Sequence, residues 1–228
     1  VALAVNEKHG IWYNPMTGKY HEATIGDKGI LLNLKSGESR ILITSNKPVN
    51  EWNLGSKVKV GGKESIAAAD SKIIDLTANT WKLSFTEDAP KVGETFNLKG
   101  VKSWEGLSEK AKVMMGTGVY ETTIKLSKDD AKKQWTIDLG DVRESARVYV
   151  NNKYIGCAWA VPYILNCKDA LNKGKNTIRI EVTNLPANRI AEMDRQGVKW
   201  RKMKEINVVD INYKKTTYEN WTPVPSGL

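Results

Sequence analysis

The strongest constraint on this chain is a period-two alternation of apolar and polar residues, repeated in short segments. Residues 81–85 alternate, as do 119–126, 135–139, 146–150 and 177–182. Successive side chains on a strand point to opposite faces, so each segment has one face to bury and one to leave wet. Turn signals separate the segments at intervals of about 10 residues, the spacing of an all-β sandwich. Asn151-Asn152 joins 146–150 to a returning strand at 154–159, because Asn tolerates positive φ. A run at 30–34, the turn Lys35-Ser36-Gly37-Glu38-Ser39 and a run at 40–44 read as a further hairpin. Helical pattern is scarce: 127–133 and 169–172 have room for one turn each.

The predicted fold is all-β. A β-sandwich spans 77–228, preceded by strands of a partial β-sandwich in 1–45. Those first residues supply too few strands for an independent sandwich. Residues 46–76 read as a linker, with Pro48, Gly55, Gly61, Gly62 and the small run Ala67-Ala68-Ala69. Eight Trp, eight Tyr and a 40% hydrophobic fraction supply a core and exclude a wholly disordered chain. No apolar run reaches the roughly 18 residues of a membrane span. The chain starts at Val1 rather than Met and retains no signal peptide, so it is expected to be a processed protein or a piece of a longer one.

The net charge of +9 is unevenly spread, with +2 in residues 1–75 and +7 in 76–228. Its one dense cluster is Lys199, Arg201, Lys202 and Lys204. No helix-turn-helix, zinc spacing or ribonucleoprotein motif accompanies it, so nucleic acid is not an expected partner. An acidic polysaccharide or an acidic neighbouring surface fits the cluster. The two His, His9 and His21, lack a marked nucleophile, and two His with two Cys do not make a zinc site. Gly61-Gly62 lacks the spacing of a phosphate loop. Asp138, Asp141 and Glu144 cluster as glycosidase carboxylates do, but Asp138 and Asp141 flank Gly140, where a turn ordinarily uses Asp. No catalytic residue and no cofactor are expected, although loop carboxylates and carbonyls leave room for a structural calcium.

Sugar binding is better supported. A sugar presents an apolar face and a rim of hydroxyls, which call for an exposed ring plus Asn, Arg or Asp. Trp159 and Tyr163 flank Pro162, Trp104 sits in a loop-like stretch, and Asn184, Asn188 and Arg189 follow a strand directly. These six are the candidate carbohydrate-binding residues. Each has an alternative role: the Trp rings in a core, the Asn amides tying down loop backbone, Arg189 paired with Asp141 or Glu192.

Gly116-Thr117-Gly118-Val119-Tyr120-Glu121-Thr122-Thr123-Ile124 resembles the strand opening of the sugar-binding jelly-roll domain of glycoside hydrolase family 2. The resemblance continues through residues 137–153, through Trp159-Ala160-Val161-Pro162-Tyr163, and through 169–177. It closes with Glu181-Val182-Thr183-Asn184-Leu185-Pro186-Ala187-Asn188-Arg189. More narrowly, the chain is similar to the C-terminal region of glycoside hydrolase family 106, the α-L-rhamnosidases. Trp12-Tyr13-Asn14-Pro15-Met16-Thr17-Gly18, Leu34-Lys35-Ser36-Gly37-Glu38-Ser39 and Pro225-Ser226-Gly227-Leu228 carry that narrower likeness.

The resemblance implies a jelly-roll, galactose-binding-domain-like fold over 77–228, and an accessory module whose partners are an oligo- or polysaccharide and the catalytic domain of the same parent chain. The family's catalytic carboxylates and calcium lie in a separate (β/α) barrel. This chain has no βα repeats and no room for a barrel of about 250 residues, so those residues have no counterpart here. Pro186 stands where the family usually has Trp. A periplasmic, secreted or cell-surface location is implied, which would permit a Cys157–Cys167 disulfide. The other reading of the two Cys is a pair of small buried residues.

Overall fold

The longest alternating segments form one six-stranded antiparallel sheet. The computed structural model describes residues 2–32, 34–54, 60–61, 72–167, 169–202, 212 and 216–228. It divides into two units, Val1–Ile74 and Asp75–Leu228.

In the first unit, β1 (Ala2–Leu3), β4 (Ile25–Gly26) and β5 (Gly29–Leu31) form a small sheet in the order β1-β5-β4. A second sheet holds β2 (His9–Asn14), β3 (Lys19–Glu22), β6 (Ile41–Ser45) and β7 (Val60–Gly61), in the order β6-β2-β3-β7. Ile11 of β2 and Ile30 of β5 are the fully buried side chains of this unit among the described residues. The hairpin expected over 30–44 does not form. Gly29–Leu31 pairs with β1 and β4, whereas Ile41–Ser45 pairs with β2. Only Asp27 and Lys28 separate Gly26 from Gly29, and Gly29 adopts φ 94°, so the tighter local turn captures Ile30. The expected linker also contributes structure, since β7 pairs in parallel with β3.

The second unit contains β8 (Thr80–Ala89), β9 (Phe96–Lys99), α1 (Glu109–Val113), β10 (Met115–Leu126), β11 (Thr136–Asp138), β12 (Ser145–Val150), β13 (Lys153–Ala158), β14 (Ile164–Asn166), β15 (Gly174–Thr183) and α2 (Ala187–Arg195). The large sheet runs β13-β12-β15-β10-β8-β9, and β11 pairs with β14. This is an all-β sandwich with two short α-helices among the described residues. The inward positions of the alternation form the core: Trp81 and Leu83, Tyr120, Ala146 and Val148, and Ile178, Ile180 and Val182. Asn151 and Asn152 turn β12 into β13 at φ 50° and 63°, as their side chains permit.

The sequence pattern places no helix after β15, yet Ala187–Arg195 is helical. Pro186 opens it, at φ −74°, where its missing N–H costs nothing.

Candidate functional site

Two groups of side chains on the second unit have the chemistry of a binding site. The first lies where β13 ends and β12 begins. Ala146 pairs with Ala158 and with Val182, so the residues following Ala158 and Thr183 share one end of the sheet. Trp159 is 59% exposed and Val161 is 52% exposed there. Tyr163 packs partly against the core, and its carbonyl accepts a 3.0 Å bond from the Leu139 N–H. Asp141 accepts from Arg143 through Nε at 3.0 Å and Nη2 at 2.7 Å. That bond is the main cause of a raised Arg143 pKa, with Glu144 and the Tyr163 phenol also within electrostatic reach. A ring face and an exposed ion pair therefore occupy neighbouring loops.

The second group is a cleft of about 600 Å³ between α1 and α2. Lys110, Lys112, Arg189 and Arg195 line it, with Glu109 and Glu192. Arg195 Nε donates to Glu192 at 2.9 Å, and this bond chiefly holds the Glu192 carboxyl below its ordinary range. Beside the cleft is an aromatic cluster that sequence reasoning missed. Tyr218 and Trp221 have ring centroids 4.5 Å apart, and Arg201 lies over Trp200 and Tyr218 at 5.1 and 5.2 Å. Asp194 anchors it, accepting from Trp200 Nε1 and from the Tyr218 N–H, both at 2.8 Å. The available signal was the density of Trp, Tyr, Lys and Arg near the C-terminus, noted above only for its charge. Lys204 of the basic cluster lies outside the described residues.

The six expected sugar contacts separate sharply. Trp159 is exposed and Arg189 lines the cleft, while Tyr163 is half-buried. Trp104 is fully buried, with its Nε1–H donated to the Tyr120 hydroxyl at 2.7 Å, so its ring faces the core. Asn184 donates to the Met114 carbonyl and the Ser226 hydroxyl and accepts from the Gly116 N–H. Asn188 is 5% exposed and holds both the N–H and the carbonyl of Val224. Both amides are thus committed within the fold, Asn188 to backbone and Asn184 to backbone and the Ser226 hydroxyl. Asp138 accepts from the Gly140 N–H, as a turn carboxylate does.

Cys157 is exposed and Cys167 buried, and both are free thiols. Among the described residues, no group of three or more His, Cys, Asp or Glu is arranged to hold a metal ion, and no helix is long and apolar enough to cross a membrane.

The sheet order and the strand-end loops define a galactose-binding-like β-sandwich. Residues 107–225 match the model of the family described as glycosyl hydrolase 2 galactose-binding domain-like, and the chain belongs to that family. It is also similar to a protein of Formosa agariphila named "Putative beta-glucuronidase", 27% identical over an alignment of 217 positions; the match covers 85% of this chain and 18% of that one. The structure of a rhamnosidase from Novosphingobium sp. PP1Y shares the fold over 98% of this chain and 20% of its own, with a TM-score of 0.69 and 22% identity. The chain therefore spans about a fifth of the length of these relatives.

Proposed function

We propose that this chain is a non-catalytic carbohydrate-binding module of a larger glycoside hydrolase of the α-L-rhamnosidase type, glycoside hydrolase family 106. The observation that carries the proposal is the exposed Trp159 indole on a strand-end loop, with the Asp141–Arg143 pair on a neighbouring loop. The indole offers a flat apolar face to a pyranose, and the ion pair offers a donor and an acceptor to its hydroxyls. Family membership supports the galactose-binding-like assignment. The names of the two long relatives support a glycan-cleaving parent. In this reading the parent enzyme supplies catalysis from a separate domain and works in the periplasm, at the cell surface or outside the cell.

One observation favours a second, purely structural reading. Trp159, Val161 and Leu185 are all exposed apolar side chains at one end of the sheet, as a surface packed on a catalytic domain would be. A tryptophan-fluorescence titration against rhamnose-, galactose- and uronate-containing oligosaccharides separates the two. Saturable quenching with one class supports a binding module; no response at millimolar sugar supports the structural role.

A further inference from the structure

We infer that the cleft between α1 and α2 is a second saccharide site, separate from the Trp159 loop, which takes the anionic group of an acidic sugar while Trp221 at its rim receives the ring. A volume of about 600 Å³ is within the range of small-molecule sites, roughly 300–1,000 Å³. Its charge is unbalanced in a specific way. Both lining carboxylates already have partners: Glu109 lies 3.9 Å from Lys112, and Glu192 accepts from Arg195 at 2.9 Å and from the Gln196 amide at 2.6 Å. Among the described residues, neither Lys110 nor Arg189 has an ion-pair partner within 4 Å, although the Arg189 charge adds to the pull that lowers the Glu192 pKa. These two cations leave the cleft with an excess of positive charge. A guanidinium presents a planar fork suited to a carboxylate or sulfate, and a lysine adds a mobile point charge.

The segment that carries an exposed ring is tied to the same cleft. Trp221 is 52% exposed and lies two residues before Pro223, which lines the cleft. Arg195 Nη1 donates to the Glu219 carbonyl at 3.1 Å, tying the aromatic segment to the cleft wall. Tyr218 packs against Trp221, and its backbone N–H is held by Asp194, so one face of the indole has a ring to rest on. A polar, cationic cleft with an exposed indole on the segment tied to its wall fits a charged sugar better than a lipid or an apolar ligand.

The test is a titration of the isotope-labelled 228-residue chain, followed by amide NMR, with glucuronate, glucose 6-sulfate and glucose as probes. The anions should shift the amides of α1, α2 and residues 219–223, and affinity should fall as ionic strength rises. Glucose should not move them. Lys110→Ala and Arg189→Ala should each weaken anion binding by about tenfold, the scale of one lost charge-assisted hydrogen bond. Lys110 is exposed, so its variant keeps the fold even if Arg189→Ala does not. A preference for glucuronate identifies the anion as a carboxylate, and a preference for the sulfate identifies a sulfate ester; either supports the site. The inference is overturned if glucose shifts the same amides equally, if neither anion shifts them, or if both variants bind as the parent chain does. Trp159→Ala should leave these shifts unchanged, so failure of the Trp159 proposal and failure of this one are distinguishable.

Discussion

The Trp104 indole N–H donates to the Tyr120 hydroxyl at 2.7 Å inside the core of the β-sandwich, and neither side chain has exposed surface. The same hydroxyl accepts from the Leu228 N–H at 3.3 Å. The pair therefore fastens the last residue of the chain to the sheet. Gly227 fits over it only because it lacks a Cβ, which would run into the Trp104 nitrogen and the Tyr120 oxygen. Tyr120→Phe deletes the shared acceptor and strands a buried indole N–H. We expect a loss of about 1–3 kcal/mol in denaturant unfolding, with little change in glycan affinity.

The same tyrosine makes stability depend on alkaline pH. Burial pushes the Tyr120 pKa from 10.0 up to about 12. The unfolded chain loses this proton first, so the folded state binds more protons between pH 10 and 12 and stability falls as pH rises through that window. The contribution is fully present below pH 10. Two units correspond to about 3 kcal/mol at most. Unfolding midpoints measured from pH 9 to 12 should fall more steeply for the parent chain than for Tyr120→Phe. Parallel slopes would show that Tyr120 is not the titrating group.

Asn188 uses both ends of its amide on Val224, with 2.9 and 2.8 Å bonds. Asn188→Ala leaves a backbone N–H and carbonyl of the C-terminal segment without that partner. Its expected effect is a loss of about 1–3 kcal/mol of stability with sugar affinity unchanged. A selective loss of glycan binding in a variant of normal stability would instead make Asn188 a ligand contact.

Much of the fold is legible because strand alternation is a local signal: the same residues that alternate in sequence, Trp81, Tyr120, Val148 and Ile180, carry the core. The misread segments are those decided by competition at a distance. Residues 40–44 carry a strand pattern, but nothing local says that their partner is β2 rather than the nearer run at 30–34. The candidate site was less legible for a related reason. Exposure is a tertiary property, and a Trp in a loop-like stretch reads the same whether it faces solvent, as Trp159 does, or the core, as Trp104 does. Composition drew attention to Asn184 and Asn188, yet an amide suited to sugar hydroxyls is equally suited to loop backbone. The Trp200–Tyr218–Trp221 cluster depends on Asp194 reaching across 24 residues to Tyr218, which no short-range pattern encodes.

The two thiols should react very differently. Cys157 is exposed, whereas burial pushes the Cys167 pKa up to about 11. At pH 8 only about one part in a thousand of Cys167 is thiolate. Iodoacetamide should therefore add one group to the native chain and a second only after unfolding, as read by intact mass. A chain that takes up no label without reductant would carry the disulfide implied by an oxidising compartment.

Trp159 separates binding from stability more cleanly than any other aromatic residue among the described residues of the second unit. Its ring is 59% exposed, so its removal creates no cavity and should change stability by no more than about 0.5 kcal/mol. If the ring is a sugar platform, Trp159→Ala should weaken glycan affinity by about 1–3 kcal/mol, the scale of a lost aromatic anchor. Trp104→Phe is the matched control, because it deletes the buried N–H donor and should lower stability while sparing affinity. Calorimetric titration of both variants, alongside their unfolding curves, gives four numbers with a required pattern. An affinity that survives in Trp159→Ala would remove the strand-end loop from the proposed glycan site and favour its role as a surface packed on another domain.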